Sequence, residues 1–239
     1  MTRFAFLFGN TDGLKGVKKD IVDVESFLRS NTGGAWEQNE IVTAEDLPSS
    51  KVIEICNLIR RKHLDYVIVY FSGHGDMERS TNLCINPQEE IVSETAFSGL
   101  AQRQLMILDC CRVFPQVVTN TKRATFAESV ESIQEQRTLC RRRYEDLIMA
   151  ASPQEVNLYA CQPGKCAYDS RRGGFYTQKL LSNAIEMSRD DDVYVKVVHE
   201  KASVDVFWNT ALKDELQEPD IKTICDGEYE KDLVFAVKS

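Results

Sequence analysis

A histidine set between glycines and a pair of adjacent thiols are the residues of this chain best suited to chemistry. The apolar run Tyr66–Phe71 (YVIVYF) leads directly into Ser72-Gly73-His74-Gly75-Asp76. Glycine neighbours carry no packing side chains and let a substrate approach the main chain, so His74 is expected to present its imidazole rather than bury it. A second apolar run, Leu105–Leu108 (LMIL), leads into Asp109-Cys110-Cys111-Arg112. A cysteine acts as a nucleophile when a nearby base or cation favours its thiolate, and a histidine brought close in space is a common provider. His74 and Cys111 lie 37 residues apart, enough for one crossover helix between adjacent parallel strands. Such a unit places both groups at one edge of a sheet. A turn histidine beside buried cysteines explains either motif alone; matched strand ends favour a Cys-His dyad.

The other histidines, His63 and His199, stand in charged, helical surroundings (RRKH and VVHEK) and are expected at surfaces or helix ends. The eight cysteines contain no C-x2-C pair, which argues against structural zinc. Most are expected to be small buried hydrophobes. The charge balance, 29 Lys+Arg against 37 Asp+Glu over 239 residues, argues against nucleic acid or an anionic membrane as the main partner. The opening run Phe4–Phe8 is too short for a signal-peptide core or a membrane span, and no other segment approaches 18 apolar residues. A cytoplasmic protein with reduced thiols is the expectation.

The elements that must position these groups alternate along the chain. Strands are expected at Phe4–Gly9, Glu40–Thr43, Tyr66–Phe71, Leu105–Leu108, Leu147–Ala151 and 232–237. Helices are expected at 16–30, Ser49–Arg61, near 93–103, around 175–189 and around 193–212. This order, with near-continuous apolar strands, predicts an α/β fold with a mostly parallel sheet and sites beyond the strands' carboxyl ends. Residues 113–146 break the pattern with polar sequence and the run Arg141-Arg142-Arg143, which reads as a solvated helix or loop. No repeat or Pro-rich linker marks a second domain.

Taken together, these residues resemble the caspase-like cysteine peptidases, most closely the metacaspase and bacterial caspase-like branch. F-S-G-H-G at 71–75 and D-x-C at 109–111 carry the resemblance. L-K-G-V-K-K-D at 14–20 matches the first-helix pattern, and Gly174-Phe175-Tyr176-Thr177 with Leu180-Leu181 is similar to the family's G-x-F-T-x-x-L-L. The resemblance implies a three-layer α/β/α sandwich on a mostly parallel six-stranded sheet, a single peptidase domain over 1–239, and thiol endopeptidase chemistry with no required cofactor. It assigns Cys111 as nucleophile and His74 as general acid/base, with the amides of Gly75 and Cys111 as oxyanion hole. Cys110 takes the variable position of D-x-C. Of the caspase signature Q-A-C-[RQG]-G, Arg112 fits, whereas Asp109 and Val113 replace Gln and Gly.

Asp12, in the loop Asn10–Gly13, and Asp109 match the two acids that let metacaspases cut after Arg or Lys, so a basic P1 residue is expected. The segment 113–146 corresponds to a region often cut during activation, with Arg137, Arg141, Arg142 and Arg143 as candidate processing sites. Calcium activation occurs in many metacaspases; the run Asp190-Asp191-Asp192 supplies acids but reads more readily as a solvated helix end. The resemblance further implies protein substrates, control by an activating partner, ligand or processing, and, for bacterial stand-alone members, activation of an effector such as a gasdermin in antiviral defence or cell death. A catalytically silent regulator on the same fold is the alternative. A redox sensor built on Cys110 and Cys111 is disfavoured, because adjacent cysteines form a strained disulfide and no resolving thiol is evident.

Overall fold

The computed structural model describes residues 1–114, 134–211, 216–225 and 231–238. Its first half runs β1 (Arg3–Gly9), α1 (Val17–Arg29), β2 (Ile41–Glu45), α2 (Ser49–Arg61), β3 (Tyr66–Ser72), β4 (His74–Met77), β5 (Thr81–Cys84), β6 (Ile91–Ser93) and β7 (Arg103–Asp109). The second half runs α3 (Gln134–Ala150), β8 (Gln154–Tyr159), β9 (Asp169–Ser170), β10 (Gly173–Gly174), α4 (Phe175–Met187), β11 (Val193–Tyr194), α5 (Val195–Ala211), β12 (Asp220–Ile224) and β13 (Val234–Ala236). The central sheet has six strands in the order β12-β8-β7-β3-β1-β2. All its pairings are parallel except that of β12 with β8.

Side-chain alternation divides the interior into two layers. Ala5 and Leu7 of β1 join a core with Val17, Ile21 and Val24 of α1, Tyr144 and Ile148 of α3, and residues of α4 and α5. Phe6 and Phe8 point the other way, onto Val52, Cys56 and Ile59 of α2 and onto Leu83, Ile85 and Phe97. Strands buried on both faces explain the unbroken apolar runs at β3 and β7.

Three expectations need correction. The helix near 93–103 is instead β6, a 3-10 turn at Glu94–Phe97 and a bend into β7. The chain between the His-bearing and Cys-bearing strands is therefore a small antiparallel sheet, β4-β5-β6, not a crossover helix. Leu147–Ala151 is not a strand: Tyr144, Ile148 and Ala151 form the buried stripe at the end of α3, and the strand follows at Gln154–Tyr159. β13 pairs with β11 in a separate ribbon, and β12 closes the main sheet.

Candidate active site

Register, more than any single contact, brings the chemistry together. Ser72 pairs with Asp109 as the last couple of β3 and β7, so His74 and Cys111 each stand two residues beyond the same level. Gly9 of β1 pairs with Ser72 as well, which brings the loop after β1 alongside. His74 and Cys111 line one cavity of about 180 Å³, together with Asp109, Cys166, Asp169 and Gly174 among others. That volume lies below the roughly 300–1,000 Å³ of a small-molecule pocket and is on the scale of one side chain.

The imidazole is held from behind. Its Nε2 lies 2.8 Å from the main-chain oxygen of Asp12. A carbonyl only accepts, so Nε2 carries the proton and Nδ1 is left to act as a base. The Cys111 thiol donates to the Ala167 carbonyl at 3.6 Å, and no hydrogen bond joins it to His74 among the described residues. Burial, with the Cys166 thiol next in importance, pushes the Cys111 thiol up to about 12. That shift favours the neutral thiol over the thiolate. Cys110 is buried in the opposite core layer, which raises its thiol well above the ordinary range.

Gly75 is needed for contact with the nucleophile segment. A Cβ there would stand 2.8 Å from both Cys110 Sγ and the Cys111 carbonyl oxygen. The neighbouring backbone is pinned by a Met77 amide to Val113 carbonyl bond of 3.0 Å. Among the described residues, the Cys111 amide donates to no backbone carbonyl outside the helices and strands.

The carboxylates are arranged differently from the sequence expectation. Asp109 is buried, and Oδ2 accepts from the Thr177 amide (3.0 Å) and hydroxyl (2.6 Å). Burial nevertheless raises it to about 6. Asp12 is exposed; it reaches the site through its main-chain oxygen, and its side chain is not among the cavity's lining groups. A different acid, Asp169, lines the cavity. It accepts from the Gly16 and Ser170 amides, and burial raises its carboxyl. Behind both lies Asp20, fully buried, accepting from Ser72 Oγ (2.9 Å) and from the Gly174 amide (3.0 Å). Burial and then Asp109 push it well above the usual carboxylate range. Sequence reasoning passed over Asp20 and Asp169. Asp20 had a signal, an acid on the apolar stripe of α1 between Val17, Ile21 and Val24. Asp169 had none, since it sits in a polar loop.

The remaining candidates lie elsewhere. Arg137 donates to the carbonyls of Arg29 (2.6 Å) and Trp36 (2.8 Å), and Arg141 pairs with Glu40 and Glu145. Arg143 pairs with Asp192 at 2.6 Å, so this acid of the 190–192 run is already matched. All four arginines belong to α3, and Arg142 and Arg143 are exposed, their side chains at 82% and 52%. Residues 115–133 of the candidate activation segment lie outside the described residues. His63 is exposed after α2, as expected. His199 is not: it is buried where α4 meets α5, bonded to the Tyr176 hydroxyl at 2.7 Å, and burial lowers it to about 4. Cys56, Cys110, Cys140 and Cys161 are buried, whereas Cys166 is exposed; all eight cysteines are free.

No curated protein matches the chain in sequence. Among solved structures, caspase-1 from Spodoptera frugiperda superposes with a TM-score of 0.64 at 12% identity, covering 99% of this chain and 90% of that one. A protein of Geobacter sulfurreducens superposes with a TM-score of 0.61 at 15% identity, covering 95% of each. At such identities these likenesses speak for the fold alone. The sequence profile of the caspase domain matches residues 2–223. With that match added to the sheet order and the site, the chain belongs to the caspase-domain family of cysteine peptidases.

Proposed function

We propose that this protein is an active cysteine endopeptidase that cuts protein substrates after Arg or Lys. The observation that carries the reading is the shared register of β3 and β7, which sets His74 and Cys111 over one cavity backed by buried acids. His74 Nδ1 takes the Cys111 proton as sulfur attacks the scissile carbonyl. The amides of Gly75 and Cys111 stabilise the oxyanion. His74 then returns the proton to the leaving amine, and water hydrolyses the thioester to free the thiol. A metal is not needed for these steps, and calcium would act through conformation if it acts.

Specificity follows from charge. Asp109 and Asp169 would receive a guanidinium or ammonium, with Asp12 at the rim, and would repel an acidic P1. The domain spans 1–239 in this reading, with 113–146 as the segment concerned in activation. Processing at Arg137, Arg141, Arg142 or Arg143 would need α3 to unwind, because peptidases bind extended chains. The physiological substrate is a protein in the same compartment, the cytoplasm. An effector released by a cut at a basic residue, such as a gasdermin in a bacterial defence system, fits this specificity. The test is hydrolysis of peptides with P1 Arg, Lys, Asp or Leu by the native chain and its Cys111→Ala variant. Preference for Asp or Leu would sink the basic pocket.

A catalytically silent caspase-fold regulator is favoured by one observation, the engagement of Cys111 Sγ with Ala167 rather than His74. Resting enzymes often show loose catalytic hydrogen bonds. No turnover of any peptide, with Cys111 inert to an Arg-chloromethylketone, would establish the silent reading.

A further inference from the structure

The segment after β7 is laced to the loop after β8. The Arg112 amide donates to the Lys165 carbonyl at 3.0 Å and the Gly164 amide to the Arg112 carbonyl at 2.7 Å. Cys111 Sγ reaches the Ala167 carbonyl, and Cys161 Sγ reaches those of Cys110 (3.4 Å) and Lys165 (3.2 Å). These bonds set Cys166 beside Cys111, and both thiols line the same cavity. Cys166 is exposed, Cys111 half-buried, and each is free.

We propose that Cys111 and Cys166 form a reversible disulfide that switches the site off under hydroperoxide stress. The inference rests on Cys111 being the nucleophile, and it supplies the partner thiol that the Cys110–Cys111 pair lacks. The other two thiols nearby are poor candidates. Cys110 also borders the cavity, but it is buried and is the sequence neighbour of Cys111, so a disulfide between them would be strained. Cys161 is fully buried, and its thiol is engaged by two carbonyls.

The chemistry balances with hydrogen peroxide as oxidant. The exposed Cys166 sulfur attacks a peroxide oxygen and the O–O bond breaks, giving a sulfenic acid and water. Cys111 passes its proton to His74, and its sulfur bonds to the Cys166 sulfur. The S–O bond breaks, and the departing hydroxide takes the proton back as a second water. Two thiols have lost two electrons, the peroxide has gained them, and a dithiol reverses the step by exchange. While the bond lasts, the nucleophile is capped and its loop is tied over the cavity. Its return on reduction distinguishes this from over-oxidation.

The experiment treats the full chain with hydrogen peroxide, blocks free thiols, and maps disulfides by non-reducing digestion and mass spectrometry, alongside Cys166→Ser. The expected result is a cross-linked peptide containing Cys111 and Cys166, two hydrogen atoms lighter than the reduced pair. Peptide hydrolysis should be lost with it and restored by dithiothreitol. In Cys166→Ser the first step has no sulfur to act on, so no cross-link to Cys111 should form and peroxide should no longer cause a loss of hydrolysis that dithiothreitol reverses. Cys111 recovered in the native chain as sulfinic acid, or paired with Cys110 or Cys161, overturns the proposal. A chain that cleaves no peptide before oxidation defeats the peptidase reading, while the disulfide map still decides the switch.

Discussion

At the residue scale, the division of labour among thiols and acids is directly testable. Cys111→Ala and His74→Ala should each lower kcat by roughly 10³-fold or more, as removal of one member of a catalytic constellation does. Cys110→Ser should leave most of the activity, and this comparison assigns the nucleophile within the pair. Asp109 gives a pH signature. Its carboxyl binds a proton more tightly in the folded chain, at about 6, than at its ordinary 3.8. Cleavage after Arg should therefore rise in kcat/KM as pH passes upward through about 6 and Asp109 ionises; cleavage of a weak P1 Leu peptide should not share that step. Stability runs the other way. Between 3.8 and about 6 the folded state holds more protons than the unfolded, so Asp109's contribution is largest below that window and declines as pH rises through it. Asp109→Asn should raise Tm near neutral pH, by roughly 2–4 °C per kcal/mol relieved, while abolishing preference for basic P1. Asp169→Asn should weaken that preference, and Asp12→Asn much less, because Asp12 serves His74 through its main chain. The proposed nucleophile and base stand out in the sequence by their flanking residues. The supporting acids were only partly so, because burial of Asp20 and the loop path of Asp169 depend on contacts between segments about 150 residues apart.

The strands that aim the site were clearer in the sequence than the connections between them. Tyr66–Phe71 and Leu105–Leu108 announced β3 and β7, since burial on both faces leaves an unbroken apolar run. The link between them was misread because short antiparallel strands such as Ile91–Ser93 are stabilised by cross-strand partners, and local periodicity cannot reveal those partners. The family-like stretch Gly174–Thr177 gains a physical meaning from its position at the start of α4. The Gly174 amide binds Asp20, and Thr177 binds Asp109, so the helix start holds both acids. The β4 segment is equally exacting. Gly75→Ala should cost about 1–3 kcal/mol through overpacking, seen as a lower Tm. It should also eliminate turnover, because the atoms its Cβ would meet belong to Cys110 and Cys111.

The whole molecule is held across its sheet more than along its chain. The backbone between residues 114 and 134 joins β7 to α3 and thence to β8, and β7 and β8 are direct parallel neighbours. Arg112 adds a buried clasp between the two halves. It pairs with Asp220 at 2.9 Å, donates to the Cys161 carbonyl at 3.2 Å and lies 3.8 Å from the Tyr159 ring centroid. Two polypeptides divided between residues 114 and 134 should therefore copurify and keep peptidase activity. Arg112→Ala should weaken their union by roughly 1–3 kcal/mol, the scale of losing charge-assisted hydrogen bonds, because Asp220 is partly exposed. Once the chain is divided, its folding is no longer unimolecular. The two pieces are an obligate heterodimer whose melting temperature climbs with concentration, and dilution alone becomes a way to take the enzyme apart.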